Sequence, residues 1–576
     1  MSTDLSVTED ELREVVVDRL KLVTPQDFQI ARSMAARLRV PLEYALVQRG
    51  HVPLKALLQH LAAQWGVRFI DLKATDVKPE ALRRIPEDDA RSHTVIAFDL
   101  NGEELSVAMA DPRDQGTLEE LSRLTGLRIS PFLASSDSIK RAQLLYRGDL
   151  LELLKHAAAT GAPVSAGAVT AATARDLLTR LLEYAVVTGT SDVHIEPYEN
   201  ETLVRCRIDG ALVDVLSAPA SMIRSLAIRV KVISGLRIDE HHVPQDGRFS
   251  EDLGTFKLDL RASILPTMWG EKIVLRVLAY VPMALDLESL GLTDAVHRIV
   301  IRNITRPLGM ILVTGPIGSG KSTTLYAILA RLESDRLNLV NISTIEDPVE
   351  HILPRVTQVT VNPSAGIDFA GGLRALLRQD PDIIMVGEIR DRETAEVATR
   401  AALVGRLLLS TLHTNDAPAA IPRLLDMGIE PFILASTMTL VLAQRLVRRV
   451  CPSCREETAD ASELDVLRKR KDFSELVRVL RQDGILGNAD DDLAGVRPIR
   501  GRGCGQCNGS GYRGRIGIFE ALEIGDEIRQ MIIERRDAAA IRALAIRLGM
   551  RTMLQDGMAK VFRGETTPDE VLRVAV

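Results

Sequence analysis

The stretch GPIGSGKST at 315–323 constrains this chain more than any other. An apolar run, Met310-Ile311-Leu312-Val313, precedes it and is short enough for a buried strand. After it, TLYAILARLES places Leu325, Ile328, Leu329 and Leu332 at helical spacing. Strand, glycine-rich loop and helix together are the context that makes a G-x-x-x-x-G-K-[ST] pattern a phosphate site. Gly315, Gly318 and Gly320 let the backbone curl so that its N–H groups converge on a phosphate, and the helix N-terminus adds partial positive charge. Lys321 is placed to reach the β- and γ-phosphates and Ser322 to offer its hydroxyl to Mg²⁺, with Pro316, Ser319 and Thr323 completing the nucleotide-binding stretch. A nucleoside-triphosphate site in an α/β domain is the expectation.

The chain has 576 residues, which argues for several domains, and 46% hydrophobic with 26% charged residues is ordinary for globular protein. A net charge of −6 gives no reason to expect nucleic acid as a partner. No window approaches ~18 uninterrupted apolar residues. The opening MSTDLSVTEDELREVV is acidic and lacks the apolar core of a signal peptide. These features predict a cytoplasmic protein that reaches a membrane only through partners.

In chain order, residues 1–23 read as a polar tail. A small α/β module follows over 24–150, including two strands joined at Asn101-Gly102, a strong hairpin signal. It carries no visible catalytic cluster and reads as a docking or regulatory domain. The small, Gly/Pro/Ser-containing run HAAATGAPVSAGAVTAA suits a linker, placed at 151–172. A second domain, 173–281, opens with the amphipathic ARDLLTRLLEYAVVTG. It continues with a strand pair around Asp209-Gly210, a turn at Asp246-Gly247, and strands in KLDLRASILP and EKIVLRVLAY. From 282 to 576, strands and helices alternate around the phosphate loop as in a parallel-sheet domain.

Three stretches after the loop carry acids or a histidine at apolar strand ends. NISTIEDPVEH ends in Glu346, Asp347 and Glu350, placed to hold Mg²⁺ waters or orient the attacking water. DPDIIMVGEIRD has a strand, Ile383 to Val386, ending at Gly387-Glu388, so the acid after the strand is Glu388. LLLSTLHT puts His413 where an imidazole can sense a γ-phosphate or bridge strands.

These motifs together resemble the secretion and type IV pilus-assembly ATPases, the GspE/PilB branch of the additional-strand catalytic E P-loop superfamily. GPIGSGKSTTLYA resembles the family's Walker A, TIEDPVE its acidic box, DPDIIMVGEIRD its atypical Walker B and STLHTND its histidine box. SDVHIEP, PQDGRF and RASILPTMWGEKIVLR resemble signatures of the domain before the motor. The resemblance implies a RecA-like P-loop motor preceded by a PAS-like α/β domain and a small N-terminal α/β module. It implies ATP as substrate and Glu346 as the group polarising water, with Asp347 and Glu350 in support and Glu388 holding Mg²⁺ through water. It further implies a ring-shaped homo-hexamer in which Arg261 and Arg276 reach the triphosphate, 281–290 acts as hinge, and an inner-membrane platform protein is the partner. One departure stands out: the family's first histidine-box histidine is Arg406 here. Related N-terminal modules bind cyclic di-GMP, and Arg37, Leu42 and Gly50 partly resemble that pattern, although Arg39 replaces its usual glycine. Docking onto a platform protein is the preferred reading of the module.

Four of the five cysteines form two C-x₂-C knuckles, Cys451/Cys454 and Cys504/Cys507. Four thiolates are the ligand set of a structural Zn²⁺ site, and disulfides are disfavoured in a reducing compartment. The charged stretch between the knuckles, in region 451–507, reads as an insertion standing on the metal-bound base. The resemblance agrees, since assembly-type members carry this tetracysteine. Cys206, alone in an expected strand, reads as packing. Two alternatives stay open: a nucleic-acid-translocating P-loop motor, against which the 3% aromatic content argues, and a non-hydrolysing nucleotide switch.

Overall fold

The computed structural model describes the chain except residues 1–6, 21–22, 39–41, 49–51, 53, 73–75, 148–170, 254–256, 279–286, 336–339, 354, 459–461, 471, 483, 487–492, 494–496, 505–506, 508 and 576. It divides into two compact units, Met1–Ala284 and Leu285–Val576.

The first unit opens where the sequence suggested a polar tail, and there the structure differs. Glu9–Arg13 is α-helical, closed by a capping box between Thr8 and Glu11, and Glu14–Arg19 continues as a π-helix. The acids face out, while Leu12, Val15, Val16 and Val17 pack with Phe28, Leu57 and Leu61 in a small core. Arg113 fastens this helix, reaching Glu11 Oε1 at 2.9 Å while its guanidinium lies 3.9 Å over the Trp65 ring. The charge that suggested a solvated lead-in belongs to one face of an amphipathic segment.

A four-stranded sheet follows: β1 (Arg68–Phe69), β2 (Val95–Asn101), β3 (Glu104–Met109) and β4 (Arg128–Leu133), in the order β1-β4-β3-β2. β2 and β3 are the expected Asn101-Gly102 hairpin. Most of the expected linker, 151–170, lies outside the described residues.

The helix Ala171–Thr188 leads into a six-stranded antiparallel sheet. Its strands are β5 (Asp192–Pro197), β6 (Glu201–Ile208), β7 (Ala211–Pro219), β8 (Gln245–Asp252), β9 (Lys257–Thr267) and β10 (Gly270–Leu278), in the order β7-β6-β5-β10-β9-β8. Alternation sends Val193, Ile195, Val204, Cys206, Leu260, Ile264, Ile273 and Leu275 into one core with two helices. Cys206 is buried there, its thiol pushed up to about 11 by desolvation. The turn expected at Asp246-Gly247 is not one, because both residues lie inside β8. Gly247 serves close approach instead: a Cβ there would stand 2.9 Å from Ser234 Cβ and 3.0 Å from the Ser234 carbonyl.

The second unit is a RecA-like α/β domain. β11 (Gly309–Thr314), β12 (Ile342–Glu346), β13 (Val356–Thr360), β14 (Ile383–Val386), β15 (Leu407–Leu412) and β16 (Met438–Val450) run parallel. β17 (Arg455–Glu457) and β18 (Ile499–Gly501) form a two-stranded ribbon, and β19 (Tyr512–Glu523) joins the main sheet antiparallel to β16. The main order is β13-β12-β14-β15-β11-β16-β19. Its central strands are buried on both faces, which explains their unbroken apolar runs. Thr314 pairs with Leu412, and Val386 with Ser410 and Ile345, so β11, β15, β14 and β12 end along one edge. Ligands in open α/β sheets bind outside such carboxyl ends.

The stretch between the cysteine knuckles is less detached than its charge suggested. The helices Ser462–Arg468 and Phe473–Gln482 send Leu464, Leu467, Leu476, Val477 and Leu480 into the main core of the second unit. Arg478 stands exposed on the outer face of the second, amphipathic helix.

Candidate active site

The loop after β11 feeds the helix Lys321–Asp335. Its curl is built against β16. A Cβ on Gly315 would lie 2.5 Å from the Gln444 carbonyl, and one on Gly320 would lie 2.8 Å from Gln444 Nε2. Gln444 then braces the loop, donating from Nε2 to the Ser319 carbonyl at 2.8 Å and accepting the Thr324 hydroxyl on Oε1 at 2.6 Å. Lys321 folds back, donating to the carbonyls of Gly315 and Pro316 at 3.0 Å each. Burial lowers its pKa, and the nearby Glu388 carboxylate opposes that. Ser319 Oγ is buried with no hydrogen-bond partner among the described residues, while Ser322 is exposed. A donor left over inside the cradle, a withdrawn ammonium and an open hydroxyl fit a triphosphate with its Mg²⁺.

Glu346 closes β12 and is 4% exposed. Its Oε1 accepts from Thr344 Oγ1 at 2.5 Å and from Gln358 Nε2 at 3.2 Å, and its Oε2 accepts the Tyr326 hydroxyl. Asp347 and Glu350 are exposed beside it. Glu388, just beyond β14, accepts from Arg390 and lies 3.1 Å from His413 Nε2. Burial would raise the Glu388 pKa, but the hydrogen bonds from Arg390 and His413 hold it below the usual carboxylate range. Arg390 also stands 3.6 Å from Asp347, tying the two acidic stretches together. The edge therefore gathers the phosphate loop, Glu346, Asp347, Glu350, Glu388 and His413.

Arg406 sits elsewhere. It precedes β15 and pairs with Asp380 at 3.0 Å, at the opposite end of that strand from His413. At ~3.3 Å per residue the two are about 20 Å apart. The departure in the histidine box therefore leaves the loop edge untouched.

In the first unit, Arg276 and Arg261 are register partners on β10 and β9, and Arg261 pairs in turn with Arg248 on β8. With Asp192 and Asp246 they line a cleft of about 450 Å³. Arg276 donates to Asp192 at 3.1 Å, and Arg207 stands 3.9 Å from the same carboxylate. The sheet register thus adds Arg248 and Arg207 to the two arginines named from the sequence.

The four cysteine thiols lie within 4.8 Å of one another, with Sγ separations of 3.9 Å for Cys451–Cys504 and Cys454–Cys507, and 3.7 Å for Cys504–Cys507. Tetrahedral Zn–S bonds of ~2.3 Å require edges of about 3.8 Å. Backbone N–H groups of Cys504 and Gly511 point at Cys507 Sγ at 3.1 and 3.3 Å. Burial would raise that thiol, yet these donors bring it down to about 7, while desolvation pushes Cys454 up to about 12. All four are free rather than disulfide-bonded, and the donor set fits structural zinc.

Residues 168–573 match the family model described as Type II/IV secretion system protein. The chain belongs to that family. Residues 65–153 of this secretion ATPase match the MshEN domain. It is 38% identical to the type IV pilus assembly ATPase PilB of Myxococcus xanthus, over 97% of this chain and 98% of that one. It is 40% identical to the PilB of Thermus thermophilus, over 92% of this chain and 58% of that longer one. It is also 45% identical to type II secretion system protein E of Dickeya dadantii, over 69% of this chain and 75% of that one. No described helix of the secretion ATPase is long and apolar enough to cross a membrane. Of the residues that resembled a cyclic di-GMP pattern, Gly50, Arg39 and the Arg37 side chain lie outside what the structure describes, and Leu42 precedes the matched MshEN span.

Gln444, Tyr326 and Gln358 were not singled out from the sequence. Gln444 carried a usable signal, a Gln-Arg pair inside the long apolar run of β16. Tyr326 carried none, since a tyrosine at a helical core position reads as packing.

Proposed function

We propose that this secretion ATPase is a homo-hexameric motor that hydrolyses ATP at the β11–β16 edge. Its cycle would drive pilin or pseudopilin assembly through an inner-membrane platform protein of a type IV pilus or type II secretion machine. The observation that carries this reading is the convergence of a braced phosphate loop with Glu346, Glu388 and His413 at one sheet edge.

The backbone N–H groups from Gly315 to Thr323 would cradle the phosphates, and Lys321 would leave its two carbonyl partners for the β- and γ-phosphates. Mg²⁺, held by Ser322 and through water by Glu388, would supply charge neutralisation at the phosphate oxygens. Glu346 would orient and polarise the attacking water, with Asp347 and Glu350 supporting, and His413 would keep Glu388 in place. Arg261 and Arg276 would be brought to the triphosphate as arginine fingers through rotation at 281–290, a segment largely outside the described residues. Such a finger is worth ~10³–10⁵ in rate. The tetracysteine would hold one structural zinc. The N-terminal module would dock on the platform protein, giving a cytoplasmic enzyme attached peripherally through its partner. Cyclic di-GMP binding by that module is the alternative to docking, and calorimetric titration decides between them.

Steady-state ATP hydrolysis by the purified chain, with oligomer mass recorded in parallel, tests this reading. Turnover in a hexamer that is lost in Lys321→Ala supports it. DNA-stimulated hydrolysis would favour a translocase, and ATP binding without turnover would favour a switch.

A further inference from the structure

We propose that Tyr326 is a positioning residue for hydrolysis, its phenol oxygen fixing the Glu346 carboxylate to the acidic box and to the helix that carries Lys321. This rests on the reading of Glu346 as the water-polarising group. Tyr326 lies five residues after Lys321 on the helix Lys321–Asp335 and is 1% exposed. Its hydroxyl accepts the backbone N–H of Glu350 at 3.1 Å and that of His351 at 3.3 Å. Both are donors, so the one phenolic hydrogen is left for Glu346 Oε2. The hydroxyl is thereby saturated: one bond given and two received, all to a single strand end and the turn after it. The His351 ring stands edge-on to the phenol, 5.3 Å between centroids.

Packing alone does not account for this arrangement. The ring fills the core between the helix and the sheet, a task that phenylalanine performs equally. The oxygen adds a rigid connection between the helix that begins at the phosphate loop and the carboxylate expected to handle water. On the opposite side, Thr344 and Gln358 fix Oε1. Glu346 is thus held by three side chains from three elements, and of these three Tyr326 is the one that links it to the phosphate-loop helix. Any displacement of that helix on nucleotide binding is transmitted to the carboxylate through this hydroxyl. Misplacing a catalytic group by ~1 Å can cost on the order of 10²-fold in rate.

Tyr326→Phe in the full chain tests this, with turnover, KM and ATP affinity measured beside Glu346→Gln. Turnover is expected to fall by about 10-fold or more, with KM and ATP affinity within about 3-fold of wild type because the loop is untouched. In a Glu346→Gln background, Tyr326→Phe should change the residual rate by less than about 2-fold, since both act through one carboxylate. Turnover of Tyr326→Phe is read per folded chain, well below its melting temperature; a rate loss that vanishes on that correction also overturns the proposal. Wild-type turnover in Tyr326→Phe, or a loss confined to KM, would overturn the proposal while leaving the role of Glu346 standing. Wild-type turnover in Glu346→Gln would instead remove the reading beneath it.

Discussion

At the scale of single residues, buried polar groups brace both the phosphate loop and the acid beside it. Gln444 is 2% exposed and carries two of those bonds. Gln444→Leu keeps the volume but orphans the Ser319 carbonyl and the Thr324 hydroxyl, each costing about 1–3 kcal/mol when buried unpaired. The expected outcome is a lower Tm and a raised KM for ATP, read by thermal melts and steady-state kinetics; unchanged KM would show that the loop holds its own curl. Arg406→His, which restores the family's residue, should leave turnover within about 2-fold of wild type, because the side chain pairs with Asp380 at the far end of β15. The acids Glu346 and Glu388 were legible from the sequence because a carboxylate ending an apolar strand near a phosphate loop is chemically conspicuous. What holds them was not. Tyr326, Thr344 and Gln358 reach Glu346 from different elements, and such convergence is invisible until the sheet order is known.

At the scale of elements, periodicity served well wherever one face of a strand or helix is buried. The Asn101-Gly102 and Asp209-Gly210 hairpins and the strand Ile383–Val386 were readable for that reason. Charge misled in two places, Glu9–Arg19 and Ser462–Gln482, where outward-facing ionic residues masked an apolar stripe that packs inward. Gly247 misled differently, since a glycine required for close approach to Ser234 has the same sequence signature as a turn. The tetracysteine cluster joins the end of β16 to the start of β19, so a metal bound there should stabilise that sheet edge. One zinc per chain is expected by elemental analysis, with loss of metal and a lower Tm in Cys454→Ser; a metal-free protein of unchanged Tm would contradict the site. Nearby, Glu570 accepts from Arg448 at 2.8 Å and Arg573 at 2.9 Å, tying the last helix to β16. Burial would raise its pKa, but those hydrogen bonds bring it down to about 2 from an ordinary 4.5. A carboxylate depressed on folding stabilises fully above its unfolded pKa and loses that contribution as pH falls through the folded one. Wild type should therefore shed stability between about pH 4.5 and 2, and Glu570→Gln should be less stable at neutral pH and show a flatter loss across that window in acid titrations.

At the scale of the whole molecule, the structure forms two compact units, Met1–Ala284 and Leu285–Val576. An arginine row spans adjacent strands of the first unit, and a phosphate-loop edge lies in the second. The proposed function joins the two, with Arg261 and Arg276 acting as arginine fingers. Arg261→Ala and Arg276→Ala should therefore slow turnover by ~10³-fold while leaving ATP binding intact. The most direct test of the account is a single-turnover experiment. Radiolabelled ATP bound per chain and phosphate released are followed together for wild type, Lys321→Ala and Glu346→Gln. Wild type is expected to bind ATP and release phosphate, Lys321→Ala not to bind, and Glu346→Gln to bind without release. Release of phosphate by Glu346→Gln at the wild-type rate would contradict this account.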